Sequence, residues 1–270
     1  MVFDIILFGI ILTLYEFIIE RRENIKRYME EIEDFKSWNE TEATFRIIGN
    51  IKRLNRNGKS NIDIRDCYLR NGQLREIDLR DARVDGADLI FADLSKSNLQ
   101  GVSLGEANLS GAFLIETKLQ SALLYSSHFE EANLSFADLN HAICYQTNFK
   151  EAILKKANLS YAKFGRTLFK GADLRGVVLV GVDFHDSFLT GAKAWLSQRT
   201  DFENAKVTSE QLDQMVWIEE DENVEKESEH GSIAALVPGK KGIGKVLKKV
   251  RVGNKELWIG KNGTILKNTK

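Results

Sequence analysis

From Ile62 to Ala192 the chain repeats every five residues, a period that fits neither a helix nor a strand. A large apolar residue holds one register without a slip: Ile64, Leu69, Leu74, Leu79, Val84, Leu89 and onward in fives to Phe184 and Leu189, 26 positions in all. Two residues before each stands a small one, most often Ala, as at Ala82, Ala87, Ala92, Ala107, Ala132, Ala157 and Ala172, and Asp or Asn often lies between the two. Self-similarity sustained at a fixed period marks a stacked repeat, in which each unit buries its apolar face only against its neighbours. The unit carries no catalytic group, so it accounts for shape.

The triplets Ala87-Asp88-Leu89, Ala107-Asn108-Leu109, Ala132-Asn133-Leu134, Ala137-Asp138-Leu139 and Ala157-Asn158-Leu159 make this stretch resemble the pentapeptide-repeat family, over about half the chain. The resemblance implies a mainly β fold: a right-handed quadrilateral parallel β-helix with four repeats per coil, the large and small residues inside and the other three positions outside. Twenty-six repeats at four per coil make six and a half coils, and at ~4.8 Å per stacked strand the rod would be ~30 Å long. Residues twenty apart then share a column. Two columns are wholly Leu, from Leu74 to Leu174 and from Leu79 to Leu179. The aromatics fall in the other two, Phe129, Phe149 and Phe169 in one and Phe164 and Phe184 in the other, which predicts ordered Phe stacks in the later coils. Burying one Leu or Phe is worth ~1.5–3 kcal/mol, so the ladder holds the rod without disulfide or metal. Cys67 and Cys144 both take inward positions nearly four coils apart and cannot bridge.

Val2 to Ile19 is apolar apart from Gly9, Thr13, Asp4 and Glu16, and its clean run from Ile5 to Tyr15 is shorter than the ~20 residues a spanning helix wants. Its terminal position, its Ile, Leu and Phe on every side, and Arg21, Arg22, Lys26 and Arg27 behind it point to a single-pass anchor in the cell membrane through residues 1–19, with the body in the cytoplasm. A signal peptide is not expected, because no basic stretch precedes the run and no small-residue cleavage site follows. The alternative is a helix buried in a partner or packed on the rod. Residues 1–36 thus read as membrane-anchor helix and helical spacer, the spacer carrying a stripe of Ile25, Met29, Ile32 and Phe35. Ser37 with Glu40 reads as a capping box that opens a second helix over 37–58, with Phe45, Ile48, Ile51 and Leu54 inward, ending at Asn57-Gly58. Solenoids need a cap, and this helix is expected to supply it. Its Arg46, Lys52, Arg53 and Arg56 read as a solvated face, with contact to lipid phosphates as the alternative.

The β-helix is expected over 62–207, with Phe202, Ala205 and Val207 as degenerate repeats, and 208–218 as a C-terminal capping helix opened by Thr208 and running through Met215 and Trp217. Residues 219–230 read as an acidic linker. Residues 231–270 read as a basic β-hairpin module, with Val246–Val252 and Leu257–Ile259 as strands and turns at Gly253-Asn254 and Lys261-Asn262-Gly263.

Gly239 to Lys245 imitates a phosphate loop, yet Val246 stands where the metal-binding Ser or Thr belongs and no parallel α/β context surrounds it. His128, His141, His185 and His230 lie at no metal-ligand spacing. No enzyme, cofactor or metal is expected. Function is therefore sought on the outward positions. Leu123, Tyr125, Ile143 and Tyr145 flank Leu124 and Cys144, which lie twenty apart, so all four should project from one face in adjacent coils. Phe113 and Ile115, with Phe136 and Ile153, make a looser patch on the opposite face or its corner. Exposed apolar patches on a rod commonly mark interaction sites, and Tyr is favoured at binding hot spots; the alternative is that the terminal segments fold back over them. The reading is a membrane-anchored, non-catalytic cytoplasmic scaffold that captures an unidentified protein partner. The runner-up is a soluble nucleic-acid-associated protein, either a DNA mimic acting on a type II topoisomerase, as the resemblance implies for some members, or a binder using the basic tail. Mimicry fits poorly, since residues 62–192 hold 17 Asp and Glu against 14 Lys and Arg, and a mimic needs a dense row of carboxylates at phosphate spacing. The sequence leaves open whether copies of the rod associate.

Overall fold

The computed structural model describes residues 2–198, 201–202, 205–219, 246–252, 255–260 and 265–269, which fall into two compact units, Met1–Ile218 and Glu219–Lys270. In the first unit each pentapeptide places its small residue inward, the next outward and the large one inward, then turns over two residues. The Asp or Asn before the large residue is chosen for that turn. Its side-chain oxygen accepts the backbone N–H two residues on, as Asp93 does from Ser95 (3.0 Å), Asn133 from Ser135 (3.0 Å) and Asp138 from Asn140 (3.0 Å). The second turn residue is left-handed in every unit from Asp66 to Gly191, at nineteen non-glycine residues and seven glycines, one for each of the 26 repeats.

Four such turns return the chain to its starting side. Single parallel bridges join each outward residue to the one twenty further on, from Asp63 with Arg83 to Asp173 with Lys193, in place of extended strands. Leu74 N–H donates to Asp93 O (2.8 Å), and Asp93 N–H donates to Gly72 O (2.9 Å), so each outward residue ties two coils. The core is the axial ladder of large residues, all buried. Where the small inward residue is Ser or Thr, its hydroxyl donates to a backbone carbonyl, mostly one coil back: Ser97 to Leu74 O (2.7 Å), Thr117 to Leu94 O (3.0 Å), and Thr167 and Ser187 to Cys144 O and Phe164 O, whereas Ser127 turns to Leu124 O of its own coil (2.7 Å). The expected aromatic stacks form. Phe129, Phe149 and Phe169 stack at 5.1 and 5.3 Å, Phe164 and Phe184 at 5.4 Å, and the two columns meet edge to face, Phe164 against Phe169 at 5.1 Å. Cys67 and Cys144 are free and buried. Burial pushes the Cys67 thiol up to about 12 and raises that of Cys144 as well.

Helix α1 spans Val2–Phe35 and α2 spans Thr41–Arg56. Among the described residues no helix is long and apolar enough to cross a membrane, which overturns the single-pass anchor and the membrane localisation built on it. The apolar stretch of α1 is interrupted by Asp4 and Glu16 and runs directly into Glu20-Arg21-Arg22-Glu23, short of the ~20 uncharged residues a span wants. The later part of α1 packs on the core through Ile25, Tyr28, Ile32 and Phe35; Met29 faces solvent, and Tyr28 takes the place expected for it. The turn before α2 also differs from expectation. Glu40, and not Ser37, is the N-cap, with no side-chain cap bond. The buried face of α2 is Ala43, Ile47, Ile48, Ile51 and Leu54, while Phe45 is 65% exposed. This face lies over the first coil. Thr44 donates its hydroxyl to Tyr68 O (3.0 Å), and the Asn55 carboxamide both donates to Asp78 O (2.7 Å) and accepts Asp78 N–H (2.8 Å), replacing the coil that the end of the ladder lacks.

At the other end β1, Lys193–Trp195, runs into a 3-10 turn at Leu196–Gln198 and pairs in parallel with β2, Val216–Ile218. The helix opened by Thr208, α3, covers Ser209–Asp213 and stops before Met215; Trp217 lies in β2 instead of the helix. Thr208 and Gln211 make a reciprocal capping box. The five-residue phase breaks here, since Asp183 bridges Lys206, 23 residues on. Phe202 still stacks on Phe184 (6.0 Å), and Trp217 closes the column edge-on at 5.6 Å. Gln198 accepts Gly176 N–H (2.8 Å) and donates to Val177 O (3.0 Å), so a carboxamide ends the ladder here too. In the second unit β3, Val246–Val252, β4, Lys255–Gly260, and β5, Ile265–Thr269, form an antiparallel sheet in that order. Apart from Glu219, the acidic stretch, along with the Gly239–Lys245 match and His230, lies outside the described residues.

Candidate functional site

The four residues expected on one face are brought together. Leu123 and Ile143 are bridged in adjacent coils, and the rings of Tyr125 and Tyr145 lie 5.9 Å apart at 39°. Leu123 is 36% exposed, Tyr125 41% and Tyr145 39%, so no described segment folds over them. The Tyr145 ring lies over a glycine. A Cβ at Gly165 would come within 2.5 Å of Tyr145 Cδ1, and one coil before Tyr125 stands Gly105, whose N–H donates to Asp85 Oδ1 (3.0 Å). The same lean recurs at the corners: Phe91 lies over Gly111, and Tyr161 over Gly181, where a Cβ would meet the ring at 2.7 Å. Side chains of the turns thus tilt onto the following coil, and the Tyr145 ring lies against Gly165.

The second patch does not form one surface. Phe113 and Ile115 are half-buried on the opposite face, Phe113 and Ile153 are separated by Asn133 in the same column, and Phe136 stands at the corner with Lys156 Nζ 5.9 Å from its ring centre.

The sequence profile described as pentapeptide repeats matches eight copies within residues 62–193. The chain belongs to the pentapeptide-repeat family. Pentapeptide-repeat proteins are generally structural or interaction proteins. No curated protein matches the chain in sequence. Among solved structures the chain is similar to HetL, a pentapeptide-repeat protein involved in heterocyst differentiation regulation from the cyanobacterium Nostoc sp. Strain PCC 7120, at 26% identity over 55% of this chain and 81% of that one, with a TM-score of 0.24. It is similar to QnrB1, a plasmid-mediated fluoroquinolone resistance protein, at 16% identity over 62% and 86%, TM-score 0.34. It is also similar to a pentapeptide-repeat protein of the Arabidopsis thaliana thylakoid lumen, at 27% identity over 44% and 72%, TM-score 0.22.

In this pentapeptide-repeat rod the wall aspartates of the first coils, Asp63, Asp78, Asp88 and Asp93, are paired with arginine, whereas the corner carboxylates Asp66, Glu76 and Asp81 are exposed. Arg65 grips Asp63 with two nitrogens (2.9 and 2.7 Å), Arg80 grips Asp78 the same way, Arg70 reaches Asp88 (2.6 Å), Arg75 reaches Asp93 (3.0 Å), and Arg83 adds to Asp63 (3.6 Å). The Arg65 hydrogen bond holds the Asp63 carboxyl down at about 2, and Arg80 lowers that of Asp78. Burial pushes the Asp173 carboxyl up, but the bonds and charge of Arg175, with Lys155 nearby, outweigh it and leave it low. Among the described residues no group of three or more His, Cys, Asp or Glu could hold a metal ion. His128 pairs with Glu130 (3.2 Å), and His141 stacks on Tyr161 (4.9 Å). Sequence reasoning passed over the exposed apolar residues of the later coils, Leu168, Val178, Val180 and Phe188. Leu168 and Phe188 continue the column of His128 and Asn148, and the switch from polar to apolar down that column was the available signal.

Proposed function

We propose that the chain is a non-catalytic interaction protein whose pentapeptide-repeat rod captures a protein partner on the face carrying Leu123, Tyr125, Ile143 and Tyr145. The observation that carries this reading is the exposed tyrosine pair, 5.9 Å apart with Tyr145 seated on Gly165, beside Leu123 and Ile143. Rings fixed against a rigid wall lose little side-chain freedom on binding, which favours them as anchors. The ion-paired aspartates of the first coils weigh against DNA mimicry, because a carboxylate already gripped by arginine presents no free negative charge. The test is photocrosslinking from a probe placed at Ser103, comparing the wild-type chain with Tyr125→Glu, Tyr145→Glu. Loss of the crosslinked partner with an unchanged far-ultraviolet spectrum supports the assignment; undiminished crosslinking removes this face from it.

A further inference from the structure

The charge of the rod is divided along its length. Residues 62–147 hold 7 Lys and Arg against 13 Asp and Glu, whereas 148–192 hold 7 against 4. Pairing differs as well. The arginines of the first coils each meet an aspartate, but Lys163, Arg166 and Lys170 are exposed and, among the described residues, have no carboxylate at ion-pair distance. Arg166 and Lys170 bracket one pentapeptide whose centre is Leu168, so the outward row reads cation, apolar, cation. Leu168 is 38% exposed and bridged to Phe188, 54% exposed, in the next coil. Phe188 and Arg166 also border an open cleft of about 930 Å³ lined by Asp183, Asp186, Glu210 and Lys206, the last paired with Asp183 at 3.3 Å, so the free cations of the row lie at its rim and along the wall.

We propose that this row binds an extended acidic protein segment with a carboxylate, an apolar side chain and a carboxylate at alternate positions. Same-face residues of an extended chain repeat every ~6.6–6.8 Å; Leu168 projects from the wall between two turns, and Arg166, left-handed in the turn before it, and Lys170, in the turn after it, place a cation at either end. A matching segment therefore sets both carboxylates on cations while its apolar side chain covers Leu168 and Phe188. Nucleic acid fits less well. The free cations of the row are few, and a strand of phosphates needs a longer series of cationic contacts than the two a short acidic segment uses. Leu168 projects from the wall after the one that carries Leu123 and Ile143, and Arg166 stands at the corner between the two, next to Gly165 under the Tyr145 ring.

The test titrates the full chain with a labelled, end-blocked peptide Glu-Thr-Phe-Thr-Glu at low salt, read by fluorescence anisotropy beside a single-stranded oligonucleotide of equal charge. Binding of the peptide is expected, weakened about tenfold or more by Arg166→Glu with Lys170→Glu, the scale of losing two charged contacts. Replacing the peptide Phe by Ser should weaken it too. If charge reversal disturbs the far-ultraviolet spectrum, Arg166→Gln with Lys170→Gln serves in its place. No peptide binding, equal binding by the charge variants, or preference for the oligonucleotide overturns the proposal.

Discussion

Asp63 sits in a turn that asks three things of it: its carboxylate accepts the Arg65 backbone N–H, grips the Arg65 guanidinium and lies near Arg83. Its folded pKa is held near 2, below the ordinary value of 3.8, and those of Asp78 and Asp173 are lowered too. A carboxyl depressed by folding adds stability that is fully present above its unfolded pKa and lost as pH falls through the folded one. The thermal midpoint should therefore fall between about pH 4 and about pH 2, and Asp63→Asn should flatten that fall, as followed by circular dichroism; an equal fall in the variant would contradict this account. The Asp and Asn signature of the repeat was legible as turn chemistry. Arg65, Arg70, Arg75 and Arg80 also stood in plain view at intervals of five, but not their partners: two find an aspartate two residues back and two find one 18 residues on, a choice made by side-chain reach across the coil gap.

Among the elements, the caps carry the largest share of what periodicity could not give. The ladder ends where backbone N–H and C=O groups have no next coil, and at both ends a side-chain carboxamide stands in, Asn55 from α2 and Gln198 after β1. Asn55→Ala removes both bonds to Asp78 and should cost about 1–3 kcal/mol, the penalty for part-buried polar groups left unpaired. An unchanged urea midpoint would show that water replaces the amide without loss. That a helix precedes the coils was readable from the apolar spacing, but its phase was not. A stripe of Phe45, Ile48, Ile51 and Leu54 steps by three and drifts around a helix of 3.6 residues per turn, so Phe45 at its start points away from the coil while Ala43 and Ile47 point toward it. The strand-forming Trp217 was assigned to a helix because Thr208 and Gln211 signalled its start well and nothing signalled its early stop.

At the scale of the molecule, α1 continues well past its last contact with the core. Its apolar residues from Phe3 to Ile19 are exposed, and packing begins only near Ile25, with Arg21 holding Asn57 O. A chain beginning at Glu20 should lose helical signal yet unfold at the same temperature, because no core contact is removed; a drop of more than about 4 °C, the scale of ~1 kcal/mol in a domain of this size, would mean that the first residues brace the rod. The apolar count of that stretch was legible, and Asp4, Glu16 and the charges from Glu20 onward were there to limit it. The coil itself was the most legible feature, since a column twenty residues apart is fixed by the repeat alone. That arithmetic has a mechanical side. With four repeats to a coil, the pentapeptide works as a quarter-turn ratchet: removing twenty residues would shorten the rod and leave every face aligned. Removing five would rotate all that follows by one side, carrying the row of Arg166, Leu168 and Lys170 round onto the side now held by Tyr125 and Tyr145. The angle between two surfaces on this protein is thus written in its residue count, and it can change only in whole clicks.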